Sequence, residues 1–216
     1  MSLPPAYQPL YDESPRSPFI VLEGVSGIGK TTLTRLLTKR MGATSVHTLP
    51  RPHTDWSSAV NTELRPLPQF AFYLSGVLHA SDSMRLTRAL GPVLADRYVS
   101  SVIACHAAVH RVDVDHVTRL LEPFRAYLET PTHTFYLRCS EATLRERLAG
   151  KADVKRDDTD LLAVPGRLPQ LLKNFATVAA TDRSAIWVDT DGKTPETLAD
   201  WITTYLENEH AQPHRL

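Results

Sequence analysis

The sequence predicts an α/β fold in which a parallel sheet is covered by helices on both faces. Two observations support this prediction. Short apolar runs that suit buried strands alternate with longer segments of helical periodicity along most of the chain. A length of 216 residues is sufficient for one domain with a full hydrophobic core. We therefore expect a single domain over residues 18–208, between a flexible Pro-rich leader (1–17) and a short tail (209–216).

Five segments are predicted to be strands, and the first is the clearest. Phe19-Ile20-Val21-Leu22 is an uninterrupted apolar run, which is typical of a strand buried on both faces of a parallel sheet. Four further strands are predicted, at 44–49, 93–95, 134–138 and 186–188.

Helices are predicted between these strands, where apolar residues follow helical spacing. Three helix ends carry specific signals. Gly42 is a stop after the first helix, Ser140 is an N-cap, and Pro195 suits the first position of the last helix. The predicted helices cover 32–41, 55–64, 69–90, 99–110, 114–129, 141–150 and 167–181, with a final helix from 195 onward.

The charge balance and the cysteine usage exclude several classes of function. Lys plus Arg and Asp plus Glu each number 24, so the formal net charge is zero, which disfavours a nucleic-acid polymer as partner. No apolar stretch approaches the roughly 20 residues of a membrane span, and no signal-peptide pattern begins the chain. Cys105 and Cys139 are isolated and suit buried positions in a reducing cytoplasm. A cytoplasmic protein without a membrane partner is expected.

The most informative motif follows the first predicted strand. Gly24 to Thr31 fits the phosphate-binding loop G-x-x-x-x-G-K-[ST] at every fixed position. Glycines let consecutive backbone N–H groups point into one hollow, at the positive end of the following helix. Lys30 can reach the β- and γ-phosphates, and the Thr31 hydroxyl can ligate Mg²⁺. A strand before the loop and a helix after it predict a P-loop NTPase fold. The predicted nucleotide-binding residues are Gly24, Val25, Ser26, Gly27, Ile28, Gly29, Lys30, Thr31 and Thr32.

A second polar cluster, Asp96-Arg97-Tyr98, comes directly after the third predicted strand. Ligands of open α/β sheets collect at the carboxyl ends of the strands, where the phosphate-binding loop also lies. Asp96 can hold Mg²⁺ or its waters, and Arg97 can clamp a transferring phosphoryl group. The alternative is a surface Asp–Arg pair without function. The neighbouring loop favours the functional interpretation.

These two motifs together resemble the thymidylate kinase family and the related deoxynucleoside kinases. The resemblance lies in Leu22-Glu23-Gly24 through Thr32, in Asp96-Arg97-Tyr98 and the residues up to Ser101, and, more weakly, in the segment 188–196. It covers residues 18–207 and implies a five-stranded parallel sheet, ATP with Mg²⁺, and phosphoryl transfer to a nucleoside or its monophosphate. By the same analogy, a homodimer is expected.

Several departures from the family pattern leave the acceptor open. Ser26 stands where thymidylate kinases usually carry Asp, and Leu49-Pro50-Arg51-Pro52-His53 stands in place of Arg-Glu-Pro-Gly-Gly. An Asp-Arg pair that helps to hold the acceptor phosphate has Gly76-Val77 as its nearest match. The catalytic Glu that deoxynucleoside kinases place after the second strand has no match, and Glu23 is not its equivalent because it precedes the loop.

The resemblance also implies a basic lid and an acceptor pocket. The lid is expected at about 150–165, and Arg156 is expected to act in catalysis by neutralising charge on the γ-phosphate. Phe72 and Tyr73 are predicted to stack a base, although core packing is the commoner role of such residues. The cations assigned to the lid or to the helix end before it are Arg145, Arg147, Lys151, Lys155 and Arg156.

Two further parts of the acceptor pocket are predicted near the third strand. Tyr98 and Arg97 adjoin the strand end, and His106 falls where thymidylate kinases often carry a base-reading Gln. His106 and His110 are four residues apart, a spacing that suits a metal pair, but without a third ligand nearby we do not expect a metal there.

The predicted function is transfer of the γ-phosphoryl group of ATP to a small-molecule acceptor. Lys30, Asp96, Arg97 and Arg156 are its predicted catalytic residues, and Thr31 and Asp96 its Mg²⁺ ligands. One alternative is a kinase of a non-nucleotide alcohol, since the acceptor groups of the family are altered. Another is a GTPase-like switch, because Asp189-Thr190-Asp191-Gly192 fits D-x-x-G, although it lies on the last strand and no N-K-x-D accompanies it.

Overall fold

The computed structural model describes residues 7–9, 16–151 and 156–211. Five strands form one parallel sheet with the order β2-β3-β1-β4-β5, which confirms the predicted fold. The strand that precedes the phosphate-binding loop is central. The strands are β1 (Phe19–Glu23), β2 (Thr44–His47), β3 (Val93–Asp96), β4 (His133–Arg138) and β5 (Ala185–Asp189).

Helices connect the strands and cover both faces of the sheet. Helices α1 and α9 pack together on one face, and on the other α4 packs against both α3 and α8. Within the described residues the helices are α1 (Lys30–Met41), α2 (His53–Glu63), α3 (Pro66–Arg88), α4 (Val99–His110), α5 (Val114–Leu121), α6 (Glu141–Ala149), α7 (Arg156–Ala163), α8 (Arg167–Thr181) and α9 (Pro195–Ala211).

Alternation along β1 builds the two halves of the core. Ile20 and Leu22 belong to the cluster that contains α1 and α9, whereas Phe19 and Val21 belong to the cluster of α3 and α4. Successive side chains of a strand point to opposite faces, so this fully buried strand serves both layers. Burial on both sides fixes β1 firmly and makes its carboxyl end a rigid support for the loop that follows.

Most of the predicted element ends lie within two residues of the observed ends, and the larger differences have local causes. The segment predicted as one helix over 114–129 is α5 followed by a 3₁₀ turn at Glu122–Tyr127, because Pro123 cannot donate a helical hydrogen bond. Helix α3 starts at Pro66, three residues earlier than predicted, since the first helical position needs no N–H partner. The segment expected to form the lid, at about 150–165, contains α7.

Local end signals are confirmed at the predicted residues. Gly42 has φ 59° and its N–H bonds the Thr38 carbonyl at the end of α1, and Ser140 Oγ accepts a 3.3 Å hydrogen bond from Thr143 N. Neither Cys105 nor Cys139 forms a disulfide, and both are only partly buried. No helix in the described part of the chain has the length and apolar character needed to cross a membrane. Residues 1–6 and 10–15 of the predicted leader lie outside the described residues.

Candidate active site

The phosphate-binding loop connects β1 to α1 in the centre of the sheet. Gly24 has φ 138°, a conformation that L side chains rarely adopt, and an added Cβ would lie 2.8 Å from the Leu137 carbonyl oxygen. Gly29 has φ 104° and immediately precedes α1, with no atom within 4 Å of an added Cβ. The loop is therefore tight against β4 at its start and open at the amino end of α1, where an anion can bind.

Lys30 lies inside the loop rather than on its surface. Its side chain is buried, and Nζ donates hydrogen bonds to the carbonyl oxygens of Gly24 at 2.9 Å and Val25 at 2.7 Å. Burial and, secondarily, the nearby Arg97 guanidinium lower the pKa of Lys30 to about 7. Since an ammonium group has three N–H donors, one remains for a phosphate oxygen.

Thr31 and Asp96 meet at the carboxyl ends of adjacent strands. The Thr31 hydroxyl donates a 2.7 Å hydrogen bond to Asp96 Oδ2, and β1 pairs with β3 so that Leu22 aligns with Asp96. Hydroxyl and carboxylate oxygens are ligands that Mg²⁺ accepts, with phosphate oxygens and waters as its usual remaining ligands. The described residues contain no cluster of three or more His, Cys, Asp or Glu that could hold a metal alone. The pair therefore suits a metal that arrives with a phosphorylated substrate.

Arg97 also lies against the loop. Nη1 donates hydrogen bonds to the Gly24 carbonyl at 3.0 Å and to Ser101 Oγ at 3.0 Å. Its backbone has φ 73°, the left-handed region that non-glycine residues rarely occupy. Such strain is found most often at functional sites. The structure thus brings Lys30, Thr31, Asp96 and Arg97 together, as predicted.

Glu23 is a residue of this site that sequence reasoning missed. It is fully buried, and its carboxylate accepts hydrogen bonds from the start of α4, at Tyr98 and Ser101. The position before the loop led us to discount it as an equivalent of the catalytic Glu of deoxynucleoside kinases. The sequence gives no signal of this contact, because the partners are about 75 residues apart.

Tyr98 does not lie where its substrate role was predicted. Its side chain is 3% exposed, its hydroxyl is hydrogen-bonded to Ser81 Oγ, and its ring packs edge-on against Phe19. Burial raises the pKa of its hydroxyl far above the usual value. Tyr98 therefore serves the core beneath α3, and its placement gives no support to contact with an acceptor.

The other predicted acceptor residues lie among α2, α3 and α4. Phe72 and Tyr73 are partly exposed, with Phe72 at 5.4 Å from the His53 ring and the Tyr73 hydroxyl donating to Asn61 at 2.8 Å. His106 lies 5.4 Å from the Phe70 ring and 4.5 Å from the His110 ring. Burial, with a smaller contribution from His110, lowers the pKa of His106 to about 4, so its imidazole is neutral at physiological pH.

A hydrogen-bonded chain behind these rings was not foreseen. Gln69 Oε1 bonds His110 Nε2, and Gln69 Nε2 donates to Asn61 Oδ1 at 2.8 Å. The chain joins three helices and uses residues with no recognisable motif, so only their packing reveals it. Tyr73 and His106 contact two members of this chain, Asn61 and His110.

The predicted lid residues have different surroundings. Arg145 is bound to Glu141 on the outer face of α6, with distances of 2.9 and 2.6 Å to Oε1, which gives no support to a lid role. Arg147 instead contacts the loop: Nη1 donates to the Ile28 carbonyl at 3.0 Å and to Thr190 Oγ1 at 2.8 Å. Lys151 ends the described stretch after α6, and Lys155 lies outside the described residues. Arg156 is described only as the first residue of α7.

Residues 22–194 match the family model described as Thymidylate kinase. This chain belongs to the thymidylate kinase family. It is accordingly a phosphotransferase that uses a nucleotide. No curated protein matches the sequence.

Solved structures of two kinases share the fold of this thymidylate kinase family member. A thymidylate kinase from Candida albicans, whose structure is described as revealing the origin of broad substrate specificity, superposes with a TM-score of 0.76 at 16% identity, over 90% of this chain and 93% of that chain. A deoxyadenosine kinase from M. mycoides, solved with dCMP and a flexible dCDP as products, gives a TM-score of 0.64 at 18% identity, over 88% of this chain and 99% of that chain.

At Gly76, where the sequence departs from the family pattern, α3 makes a close contact with the segment after β2. A Cβ at Gly76 would lie 2.5 Å from Leu49 Cδ2 and 3.4 Å from the His53 ring. Leu49 therefore packs directly on α3 at the register where thymidylate kinases carry their Asp-Arg pair. At this register, Gly76 of α3 lies close to Leu49 and to the His53 ring in the segment after β2.

Proposed function

We propose that this protein transfers the γ-phosphoryl group of ATP, with Mg²⁺, to a nucleoside or a nucleoside monophosphate. One observation carries the proposal: Lys30, Thr31, Asp96 and Arg97 converge around a loop whose open side is the amino end of α1. Each of these groups suits a different part of a metal-bound polyphosphate. The family of the chain supports the same reaction class.

The loop and Lys30 bind the triphosphate in this proposal. Backbone N–H groups of the loop and the amino end of α1 attract the β- and γ-phosphates. Lys30 is held by two carbonyl oxygens of the loop, so its remaining N–H is directed by the loop geometry rather than by side-chain freedom. Thr31 and Asp96 would hold Mg²⁺, which would neutralise negative charge on the phosphate oxygens.

Arg97 stabilises the transferred group. Its hydrogen bonds to Gly24 and Ser101 hold it beside the loop, and a guanidinium has five N–H donors, so others are available to the phosphoryl oxygens. An acceptor oxygen forms a bond to the γ-phosphorus as the bond to the bridging oxygen breaks and ADP leaves. The proton of a hydroxyl acceptor passes to Asp96, whereas an ionised phosphate acceptor has none to transfer. Such catalysis depends mostly on positioning and electrostatics.

A second candidate is phosphorylation of a non-nucleotide alcohol, and the Leu49–Gly76 contact favours it. An uncharged surface at that position removes a group that the family uses for the acceptor phosphate. By contrast, the segment 189–192 gives no support to a GTPase-like switch. Asp191 accepts a 2.8 Å hydrogen bond from Ser140 N at the start of α6, so this segment fastens β5 to α6.

A product analysis tests the proposal. The protein is incubated with Mg²⁺-ATP and separate nucleosides, nucleoside monophosphates and alcohols, and phosphorylated products are identified by mass spectrometry. We expect ADP formation that depends on a nucleoside or its monophosphate, and a loss on the order of 10³-fold in Lys30→Ala. Lys39→Ala, an exposed lysine of the same helix, is the matched control and should retain full activity.

Three outcomes would contradict the proposal. They are near-normal turnover of Lys30→Ala, products from alcohols alone, and tight GTP binding without acceptor-dependent release of a diphosphate. The expected homodimer is a separate part of the proposal, and light scattering of the purified protein checks it.

A further inference from the structure

Glu23 is a buried carboxylate whose hydrogen bonds all reach the same place. It is 0% exposed at the end of β1, and carboxylates are almost never fully buried without partners. Oε1 accepts from the backbone N–H groups of Tyr98 at 2.8 Å and Ser101 at 3.1 Å, while Oε2 accepts from Ser101 Oγ at 2.5 Å. Its oxygen atoms are therefore satisfied by the first turn of α4.

These hydrogen bonds cap the amino end of α4. The first N–H groups of an α-helix lack partners within the helix, and the residue that precedes α4, Tyr98, makes no side-chain cap. Glu23, at the end of β1, supplies the missing hydrogen-bond acceptor for α4, although α4 follows β3. The start of α4 is thereby fixed to β1, and the Asp96–Tyr98 turn between β3 and α4 is fixed with it.

Arg97 is held in this arrangement by its backbone and by its side chain. Its φ of 73° costs about 1–2 kcal/mol for an L residue. The backbone N–H of Arg97 donates to Leu22 O at 3.0 Å, next to Glu23. Its guanidinium donates to Ser101 Oγ, the same hydroxyl that donates to Glu23. A continuous chain thus runs from Glu23 through Ser101 to Arg97.

The surroundings of Glu23 affect its pKa in opposite directions. Burial raises the pKa of Glu23, while the bond from Ser101 and the positive charge of Arg97 oppose that rise. Glu23 has no solvent-exposed surface, so it cannot touch an acceptor or serve as a base for one. Any effect on transfer has to pass through the residues that it holds.

We propose that Glu23 is a positioning residue for phosphoryl transfer, which acts through Ser101 to hold the Arg97 guanidinium against the Gly24 carbonyl. This inference rests on the proposed function. A guanidinium that stabilises the transferred group mainly in the transition state contributes to kcat rather than to KM. Loss of Glu23 should therefore slow the chemical step and leave the apparent affinity for ATP nearly unchanged.

A double-mutant cycle tests whether the two residues act together. We expect Glu23→Gln to lower kcat by about 10²-fold, the effect of a misplaced catalytic group, with KM for ATP changed less than twofold. Arg97→Ala should lower kcat at least as much, and Glu23→Gln/Arg97→Ala should be no slower than Arg97→Ala alone. Independent effects that multiply in the double variant would overturn the inference, because residues in one chain are not additive.

Two further variants separate positioning from folding. Ser101→Ala removes the shared hydroxyl but leaves the backbone bonds to Glu23, and it should lower kcat by about tenfold. If Glu23→Gln does not fold, the Ser101→Ala variant alone tests the inference. A Ser101→Ala variant whose kcat equals that of the wild type would refute it. Glu129→Gln is the matched control: Glu129 is 4% exposed and pairs with Arg85 and Arg88 away from the loop.

The control and the wild type make the outcomes distinguishable. Glu129→Gln should lower the thermal midpoint without changing kcat. If Glu129→Gln and Glu23→Gln lost kcat equally, a general loss of stability would explain both and the inference would fail. A wild-type protein without acceptor-dependent transfer would refute the proposed function itself, whereas an active wild type with multiplicative variants would refute only the role of Glu23.

Discussion

The Thr31 hydroxyl and the Asp96 carboxylate, 65 residues apart in sequence, are joined by a 2.7 Å hydrogen bond. The bond links the start of α1 to the end of β3, because β1 and β3 are adjacent parallel strands whose carboxyl ends coincide. A hard-oxygen pair at this point can share one Mg²⁺ with the phosphates. Both oxygens are therefore expected to affect the metal dependence of the reaction.

Substitution of either residue, Thr31 or Asp96, checks the metal dependence. Thr31→Ala and Asp96→Asn should each lower kcat by about 10²- to 10³-fold and raise the Mg²⁺ concentration needed for half-maximal rate. Thr31→Ser keeps the hydroxyl and should remain close to wild type. A titration of the initial rate with Mg²⁺ measures all three, and an unchanged half-maximal concentration in Thr31→Ala would contradict the assignment.

Lys30 should impose a pH dependence on the capture of ATP. Burial and Arg97 lower its pKa to about 7, so the charged ammonium is lost as pH rises through that value in the free protein. Since kcat/KM reports on the free enzyme, kcat/KM for ATP should fall above about pH 7. At saturating ATP, the bound phosphates favour the ammonium, and kcat should stay flat to higher pH.

Lys30→Arg is the control for this pH dependence. A guanidinium stays protonated throughout the accessible range, so the alkaline fall in kcat/KM should disappear even though the overall rate is lower. Rate measurements from pH 6 to 9 in buffers of constant ionic strength compare the two proteins. Identical profiles for wild type and Lys30→Arg would show that another group titrates.

Arg147 and Arg145 form a matched pair, two residues apart on α6. Arg147→Ala removes bonds to the Ile28 carbonyl and to Thr190, which should destabilise the protein by about 1–3 kcal/mol and raise KM for ATP. Arg145 has a 55% exposed side chain paired with Glu141, so Arg145→Ala should stay within about 0.5 kcal/mol of wild type. Urea unfolding and ATP kinetics report both effects, and equal KM values would exclude a role for Arg147 in supporting the loop.

Tyr98 and Phe72 should separate a core role from an acceptor role. Tyr98→Phe loses the bond to Ser81 and should cost about 1 kcal/mol of stability, with no change in the KM of the acceptor. Phe72→Ala removes a partly exposed ring that is predicted to contact the acceptor, and it should raise that KM about tenfold with little loss of stability. The reverse pattern, a raised KM in Tyr98→Phe alone, would restore the substrate role first predicted for Tyr98.

Much of the site was accessible from the sequence because its signals are local. The spacing of Gly24 and Gly29 indicates a loop whose backbone needs φ values that glycine adopts readily. The strand before the loop and the helix after it are predicted by the periodicity of apolar residues. Asp96 and Arg97 could be placed beside the loop for a simple reason: the carboxyl ends of parallel strands lie at one edge of a sheet.

The sequence by itself therefore determined the α/β fold, the phosphate-binding loop and the strand end that faces it. Only the tertiary structure decided which way neighbouring side chains point. Arg97 contacts the loop, whereas Tyr98 is buried in the core. Arg147 contacts the loop, whereas Arg145 is exposed to solvent. It also revealed Glu23, whose partners follow a different strand. The physical reason is that periodicity and spacing fix local backbone geometry, whereas contacts between distant residues are fixed only when the helices pack on the sheet.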